Sequence, residues 1–420
     1  MDATSSISEL VIQGKISLSQ DLSEKILNCR NEEEVQTIWN KIPFMDKGTI
    51  RSRFPDGFGF SRSALNDLIK QGKIEIERTS GTTEESTELI LPTGWWDKQE
   101  THALSLNERI KCTFSSDTNW YLSPDKRVTI VSPSCSNDIC YTGVPSQEER
   151  TLNKTLFVNI SKHPFLWTNS IKEQMLQETL SFEPVFLDVD PVYGTLFADY
   201  CRKKSCRIPS LKFILSSYEY LSRAHRRYLG EIFGVPVYNL YGSTETGHLL
   251  MEDSQGILRI AKENALLEFL PLPSDETLKE CVVTTLTNPY MPLLRYRIGD
   301  LFCERDERLR LMGRLKDALI THSGDPIPVS WIDDAITISD KILHYQLVQL
   351  QDINTCRLDY FLREDANDLT LTEKNLIASN LITFMGWNTK IIFRSVDYIP
   401  CEPSGKFRLV IPQKTNKLFN

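Results

Sequence analysis

Between positions 127 and 243 short apolar runs alternate with amphipathic stretches, and this alternation restricts the fold more than any other feature of the chain. Val128–Val131, Leu156–Val158, Leu211–Leu215 and Val235–Tyr238 have the length of strands, while 170–182, 192–203 and 221–233 have the length and spacing of helices. In the third helix Leu221, Ala224, Tyr228, Leu229, Ile232 and Phe233 recur three and four apart, and Gly234 follows as a C-terminal cap. Strands separated by helices pair in parallel through crossovers, so a layered α/β sheet is expected. Ligands of such sheets sit in the loops that leave the carboxyl ends of the strands.

From 256 the character becomes strand-rich: Leu266–Phe269, Cys281–Thr285 and Leu293–Tyr296 predict a smaller β subdomain. About 100 residues follow Lys316, enough for a small domain of their own. They read as a strand at Tyr345–Leu350, a strand at Arg357–Leu362, a helix from Thr372 and a strand at Lys390–Phe393. At the other end, 1–45 reads as polar helix with Leu22, Ile26, Val35 and Ile38 on a modest apolar face, closed by Pro43. A short helix over 64–73 and a strand at Lys73–Glu77 come next. The expected fold is therefore α/β. A large N-terminal domain (1–315) has layered mixed sheets, helices and a β subdomain, and a small mobile α+β domain (316–420) follows it.

Composition narrows the function classes. The 420 residues carry a formal net charge of −8, which argues against nonspecific nucleic-acid binding, since that relies on lysine and arginine against phosphates. No apolar run approaches the roughly 20 residues that cross a bilayer, and Met1–Ser5 does not begin a secretory signal. A cytoplasmic protein without membrane or nucleic-acid partners is expected. Ten cysteines are scattered and read as reduced, small apolar residues. Two pairs at C-x4-C spacing, Cys135/Cys140 and Cys201/Cys206, leave a four-sulfur zinc site as the alternative.

Five short polar motifs carry the chemistry. The strand at Lys73–Glu77 runs into Thr79-Ser80-Gly81-Thr82-Thr83, where hydroxyls around a glycine can fold N–H and O–H groups about phosphate oxygens. It is not the GxxxxGK[ST] loop, because no Gly-Lys follows. Tyr241-Gly242-Ser243-Thr244-Glu245 joins an aromatic ring, small residues, a hydroxyl and a carboxylate able to hold a metal, a set suited to a nucleotide and its magnesium. Tyr296–Asp300 and Gly313–Asp317 each sit at a strand end, and Gly405-Lys406-Phe407-Arg408 lies near the C-terminus. Singly, each is as well read as a solvated turn.

In this order and spacing, from 79 to 408, the motifs resemble the adenylate-forming superfamily of acyl-CoA synthetases, peptide-synthetase adenylation domains and luciferases. The brevity of the chain and the phrase Ile42-Pro43-Phe44-Met45-Asp46-Lys47 look like the phenylacetate–CoA ligase branch. Adenylating enzymes of phenazine pathways and the acyl-protein synthetases of bacterial luminescence are similar compact relatives.

The resemblance implies a role for each matching residue. Thr79 to Thr83 would cradle the β- and γ-phosphates of ATP. Tyr241 would stand near adenine beside Gly242 and Ser243, Thr244 would bond phosphate, and Glu245 would ligate Mg2+. Asp300 would accept the ribose hydroxyls and Arg314 would add a ribose or phosphate contact. Lys316 would be the hinge of the small domain, and Lys406 would bridge the attacking carboxylate and the α-phosphate.

The implied reaction activates a carboxylic acid, of aromatic type, to an acyl adenylate with release of pyrophosphate. The acyl group then passes to CoA or another thiol, or to an amine or a carrier protein, in a monomer or homodimer. Tyr218, Phe186, Tyr193 and His248 are the expected lining of the acyl pocket. The family's Thr-Gly-x-Pro continuation is replaced here by Thr83-Glu84-Glu85-Ser86, which sets two carboxylates beside the intended triphosphate. That departure supports the rival expectation, a ligand-binding homologue without turnover.

Overall fold

The computed structural model describes residues 6–79, 86–114, 120, 123–135, 139, 144–321, 324–352, 354–386 and 389–413. Its centre is an eight-stranded sheet in the order 258–260, 247–252, 237–243, 213–216, 186–189, 127–130, 155–157, 151–152. The five strands from 237–243 to 155–157 run parallel, and antiparallel strands close both edges. Helices Asn169–Phe182, Pro191–Lys203 and Arg223–Phe233 supply the crossovers. Each begins at a side-chain cap, from Thr168, Asp190 and Ser222, that satisfies free N–H groups of the first turn. Gly234, at φ +67°, ends the third helix as its spacing predicts.

The strand Phe186–Val189 has no counterpart in the sequence reading. It is buried along its whole length although Asp188 interrupts the apolar run. Burial of that carboxylate is tolerated because the Ser217 and Tyr218 hydroxyls donate to it at 2.9 and 3.0 Å. The Arg127 guanidinium lies 3.8 Å away.

The β subdomain is a four-stranded antiparallel sheet, Ala265–Pro271, Leu278–Thr285, Tyr296–Arg305 and Arg308–Arg314. The expected strand at Leu293–Tyr296 is displaced, since pairing starts only at Tyr296. Arg295 adopts φ +47°, and its buried guanidinium is clamped by Glu268 (3.0 Å) and the carbonyls of Trp39 and Ile42 (3.2 and 3.0 Å). The helices Ile7–Ile12, Gln20–Leu27 and Glu32–Trp39 form their own apolar cluster, against which Leu266, Leu286 and Leu294 pack.

The C-terminal segment folds as the sheet 390–395, 355–362, 342–349, 410–411, covered by helices Val329–Ile336 and Leu371–Met385. It is docked on the large domain: Leu343, Ile399 and Phe407 enter the main apolar cluster. Asp333 accepts from Ser222 Oγ (2.6 Å), the Arg223 N–H (2.8 Å) and the Tyr345 hydroxyl (3.0 Å). Among the described residues no helix is long and apolar enough to cross a membrane.

Candidate active site

The Tyr241–Glu245 motif spans the end of a strand and a tight hairpin. Val237–Ser243 pairs antiparallel with Gly247–Glu252, so Tyr241 to Ser243 are strand residues and Thr244 to Thr246 form the turn. Glycine is required on both arms. A Cβ at Gly242 would overlap the Gly247 carbonyl, and Gly247, at φ +74°, is closed in by Gln99 and Trp95. The hairpin leaves Thr244 partly exposed and buries Glu245 to 7 % exposure.

Burial opposes ionisation of Glu245, yet the ammonium of Lys47, 2.9 Å from its Oε1, outweighs it and holds the carboxyl below its usual range. Lys47 is a site residue to which the sequence assigns no role. The route that brings it here is explicit. Met45 bridges to Tyr296 through bonds with Arg295 (3.2 Å) and Arg297 (2.8 Å), and Asp46 then caps the helix Lys47–Arg53 through the Thr49 N–H (2.7 Å). The phrase Ile42–Lys47 was the available signal, but its target lies two hundred residues away.

Asp300 and Arg314 face each other across antiparallel strands, with Arg314 Nε 3.6 Å from Asp300 Oδ1. The other oxygen of Asp300 accepts the Tyr241 hydroxyl at 2.7 Å. Burial raises the Asp300 carboxyl, and Arg314 and Tyr241 offset part of that rise. The Tyr241 ring is itself buried, edge-on to Phe302 at 5.3 Å, so it holds Asp300 in place from within the core. The charges of Asp300 and Glu245 act on the Arg314 guanidinium, which in turn acts on Glu219.

Lys406 comes from the C-terminal segment, and its charge acts on Asp190 and Glu219. Its turn is bound by Ser132 Oγ, which donates to the Ser404 carbonyl (2.8 Å), and by the Tyr193 hydroxyl, 2.9 Å from the Gly405 carbonyl. Glu219 accepts the Phe407 N–H at 2.6 Å. Burial pushes the Asp190 carboxyl up to about 7 against the pull of Val192 and Tyr193 N–H groups and of Lys406. Burial and the neighbouring Asp190 charge drive Glu219 well above its usual range, with Lys406 opposing.

Two expected pocket residues are elsewhere. Phe186 has no exposure and stacks on Phe213 at 4.8 Å, because both faces of its strand are covered. Tyr193 is also fully buried and holds the lysine turn, so neither ring stands on a pocket wall. Tyr218, at φ +73°, and His248, edge-on to Trp96 at 5.4 Å, stay partly exposed at strand ends.

Thr79 closes its hairpin through reciprocal bonds with Thr87, both 3.0 Å. Ser80, Gly81, Thr82, Thr83, Glu84 and Glu85 lie outside the described residues. Lys316 lies in the short turn Leu315–Asp317. Its neighbour Asp317 pairs with Arg408 at 2.6 Å, which ties this turn to the lysine turn. Cys201 is buried inside the Pro191–Lys203 helix, while Cys140 and the Cys135 side chain lie outside the described residues. Among the described residues no three His, Cys, Asp or Glu side chains converge as a metal site.

Residues 319–413 match the model of the CapK C-terminal domain. Protein CapK of Staphylococcus aureus is 27 % identical over 210 residues, 47 % of this chain and 46 % of CapK. The phenylacetate-coenzyme A ligase of Thermus thermophilus is 29 % identical over 203 residues, 43 % of this chain and 45 % of the ligase. The matched stretches thus span less than half the length of either relative. The fold is similar to that of the crystal structure of 2-hydroxyisobutyryl-CoA ligase in the postadenylation state with R3-HIB-AMP. The TM-score is 0.64 at 15 % identity, over 93 % of this chain and 85 % of that one. The chain is thus similar over part of its length to CapK and to phenylacetate-coenzyme A ligase, and its fold is that of the 2-hydroxyisobutyryl-CoA ligase structure.

Proposed function

We propose that this protein activates a carboxylic acid with ATP and passes the acyl group to a thiol, with CoA as the first candidate. The observation that carries the reading is the seating of the Lys406 turn on Ser132, Tyr193 and Glu219 at the carboxyl ends of the parallel strands, with Arg314, paired to Asp300, acting on the same Glu219. A carboxylate is a poor electrophile, and attack of its oxygen on the α-phosphorus expels pyrophosphate and leaves an acyl adenylate. The protein contributes alignment and charge neutralisation, and a lysine ammonium between two anionic reactants supplies both. A thiol then attacks the acyl carbon, AMP departs, and the thiol proton is lost to solvent.

Asp300 would hold the ribose, a task that suits a carboxylate already oriented by Tyr241 and Arg314. Lys47 and Thr244 would meet phosphate oxygens. Glu245 fits a magnesium ion, since it is a buried carboxylate that the Lys47 ammonium favours in its charged form. A bound Mg2+ would supply charge neutralisation to the triphosphate. Lys316 would serve as the hinge of the domain from 316 onward. Tyr218 and the His248–Trp96 pair favour a planar aromatic acid.

The test is pyrophosphate release across a panel of aryl and alkyl acids, with and without CoA. Acid-dependent release with CoA-ester formation supports the whole reading. Release without the ester leaves an amine or carrier protein as acceptor, and no release from any acid overturns it.

A further inference from the structure

The Lys406 turn meets the core in a socket whose parts come from three neighbouring parallel strands. Ser132 follows 127–130, Asp190 and Tyr193 follow 186–189, and Glu219 follows 213–216. The fit is close. A Cβ at Gly405, which sits at φ +85°, would overlap Ser132 Oγ and come within 2.8 Å of the Tyr193 hydroxyl. That hydroxyl lies 2.9 Å from the Gly405 carbonyl and 2.7 Å from that of Lys162, so its single proton is shared between turn and core. Phe407, next to the lysine, is buried against Tyr193, His344 and Phe165, with ring centres 6.0, 5.4 and 5.7 Å apart. Lys406 is therefore pinned on both sides while its own side chain stays partly exposed.

We infer that Glu219 and Tyr193 are positioning residues that seat the Lys406 turn for the adenylation half-reaction. This rests on the proposed acid-activating function. The Glu219–Phe407 bond is short, and it fixes the backbone one residue beyond the lysine. The groups facing the socket are Lys406 and Cys401 on the turn and its approach, Arg314 from the β subdomain, and Lys162, Asp190, Tyr193 and Glu219 from the core. The core, not the C-terminal segment alone, thus sets where the lysine points. Undocking removes all these contacts together, so the residues matter to the first half-reaction and not to the second.

Cys401 supplies a readout that needs no activity. Its thiol lies 3.0 Å from His163 Nδ1 and 3.3 Å from the Lys162 carbonyl, contacts that exist only while the turn is seated. Glu219→Gln, Tyr193→Phe and Ser132→Ala would be labelled with a maleimide, and each cysteine resolved by peptide mass spectrometry. Exposed Cys112 serves as the internal rate standard and buried Cys201 as the check of folding. The expected result is several-fold faster labelling of Cys401 with Cys201 protected. Acid-dependent pyrophosphate release should fall ten-fold or more, while transfer from supplied acyl adenylate to CoA stays within two-fold of the parent. Unchanged Cys401 labelling in all three variants would overturn the socket, and so would equal losses in both half-reactions. If the parent releases no pyrophosphate with any acid, the functional reading fails while Cys401 labelling still judges the seating.

Discussion

Lys47 Nζ lies 2.9 Å from Glu245 Oε1, an ion pair that joins the start of a short N-terminal helix to the turn of the central hairpin. It places a half-exposed cation on the carboxylate assigned to magnesium. Lys47→Met leaves Glu245 buried without its counter-charge. For a pair with one partner in solvent this should cost about 1–2 kcal/mol of stability. Millimolar Mg2+ should restore more of the melting temperature in the variant than in the parent, since the ion then has the carboxylate to itself. Differential scanning fluorimetry with and without Mg2+ reads this, and equal shifts in both proteins would remove Glu245 as a metal ligand.

Lys406→Ala should lower acid-dependent pyrophosphate release by about a hundred-fold or more, the usual scale for loss of one charge that acts in a transition state. Transfer from a supplied acyl adenylate to CoA should change little. Lys316→Ala should show the reverse pattern. Rapid-quench assays of each half-reaction separate the two, and a Lys406→Ala protein as active as the parent contradicts the mechanism.

His225, in the helix 223–233, and His344, in the strand 342–349, touch nitrogen to nitrogen at 3.2 Å with rings nearly parallel. Burial lowers His225 to about 3, and burial plus the neighbouring ring lowers His344 well below the usual range. Both are therefore neutral when folded and take up protons only on unfolding. A depressed folded pKa means that the stability is fully present above about 6.5, the unfolded value, and is lost as pH falls toward the folded one. Each histidine should remove about 1.4 kcal/mol per pH unit below that point. Urea unfolding at pH 7 and pH 5 measures the slope. His344→Gln should flatten it, whereas an unchanged slope would assign the acid sensitivity to other groups.

Phe186→Ala should cost about 3–5 kcal/mol, as removal of a fully buried aromatic ring does. A pocket-wall residue would instead alter acid preference at nearly constant stability. Chemical denaturation beside an acid panel distinguishes the two.

Local pattern made much of the fold legible. The helices at 169–182, 191–203 and 223–233 lie within two residues of their expected bounds, since caps and periodicity are properties of adjacent residues. The strand Phe186–Val189 was not legible, because a charged residue in an apolar run reads as surface until Ser217, Tyr218 and Arg127 are seen to neutralise it. Arg295 hid the start of its strand in the same way, through a distant Glu268 and a left-handed backbone.

The candidate site divides along the same line. Tyr241 to Glu245, Asp300, Arg314 and Lys406 stand out in the sequence because short motifs keep their chemistry within a few residues. Which of them meet, and what holds them, depended on the tertiary structure. Met45 lies against Tyr296 and so brings Lys47 to Glu245, and three strand ends form the seat for Gly405. Sequence alone determined most of the crossover helices and strands and the short motifs of the candidate site, since both are encoded by neighbours along the chain. Tertiary structure decided that Phe186 and Tyr193 belong to the core and that Lys47 and Glu219 belong to the site. Burial and ion pairing are relations between residues that the chain itself keeps far apart.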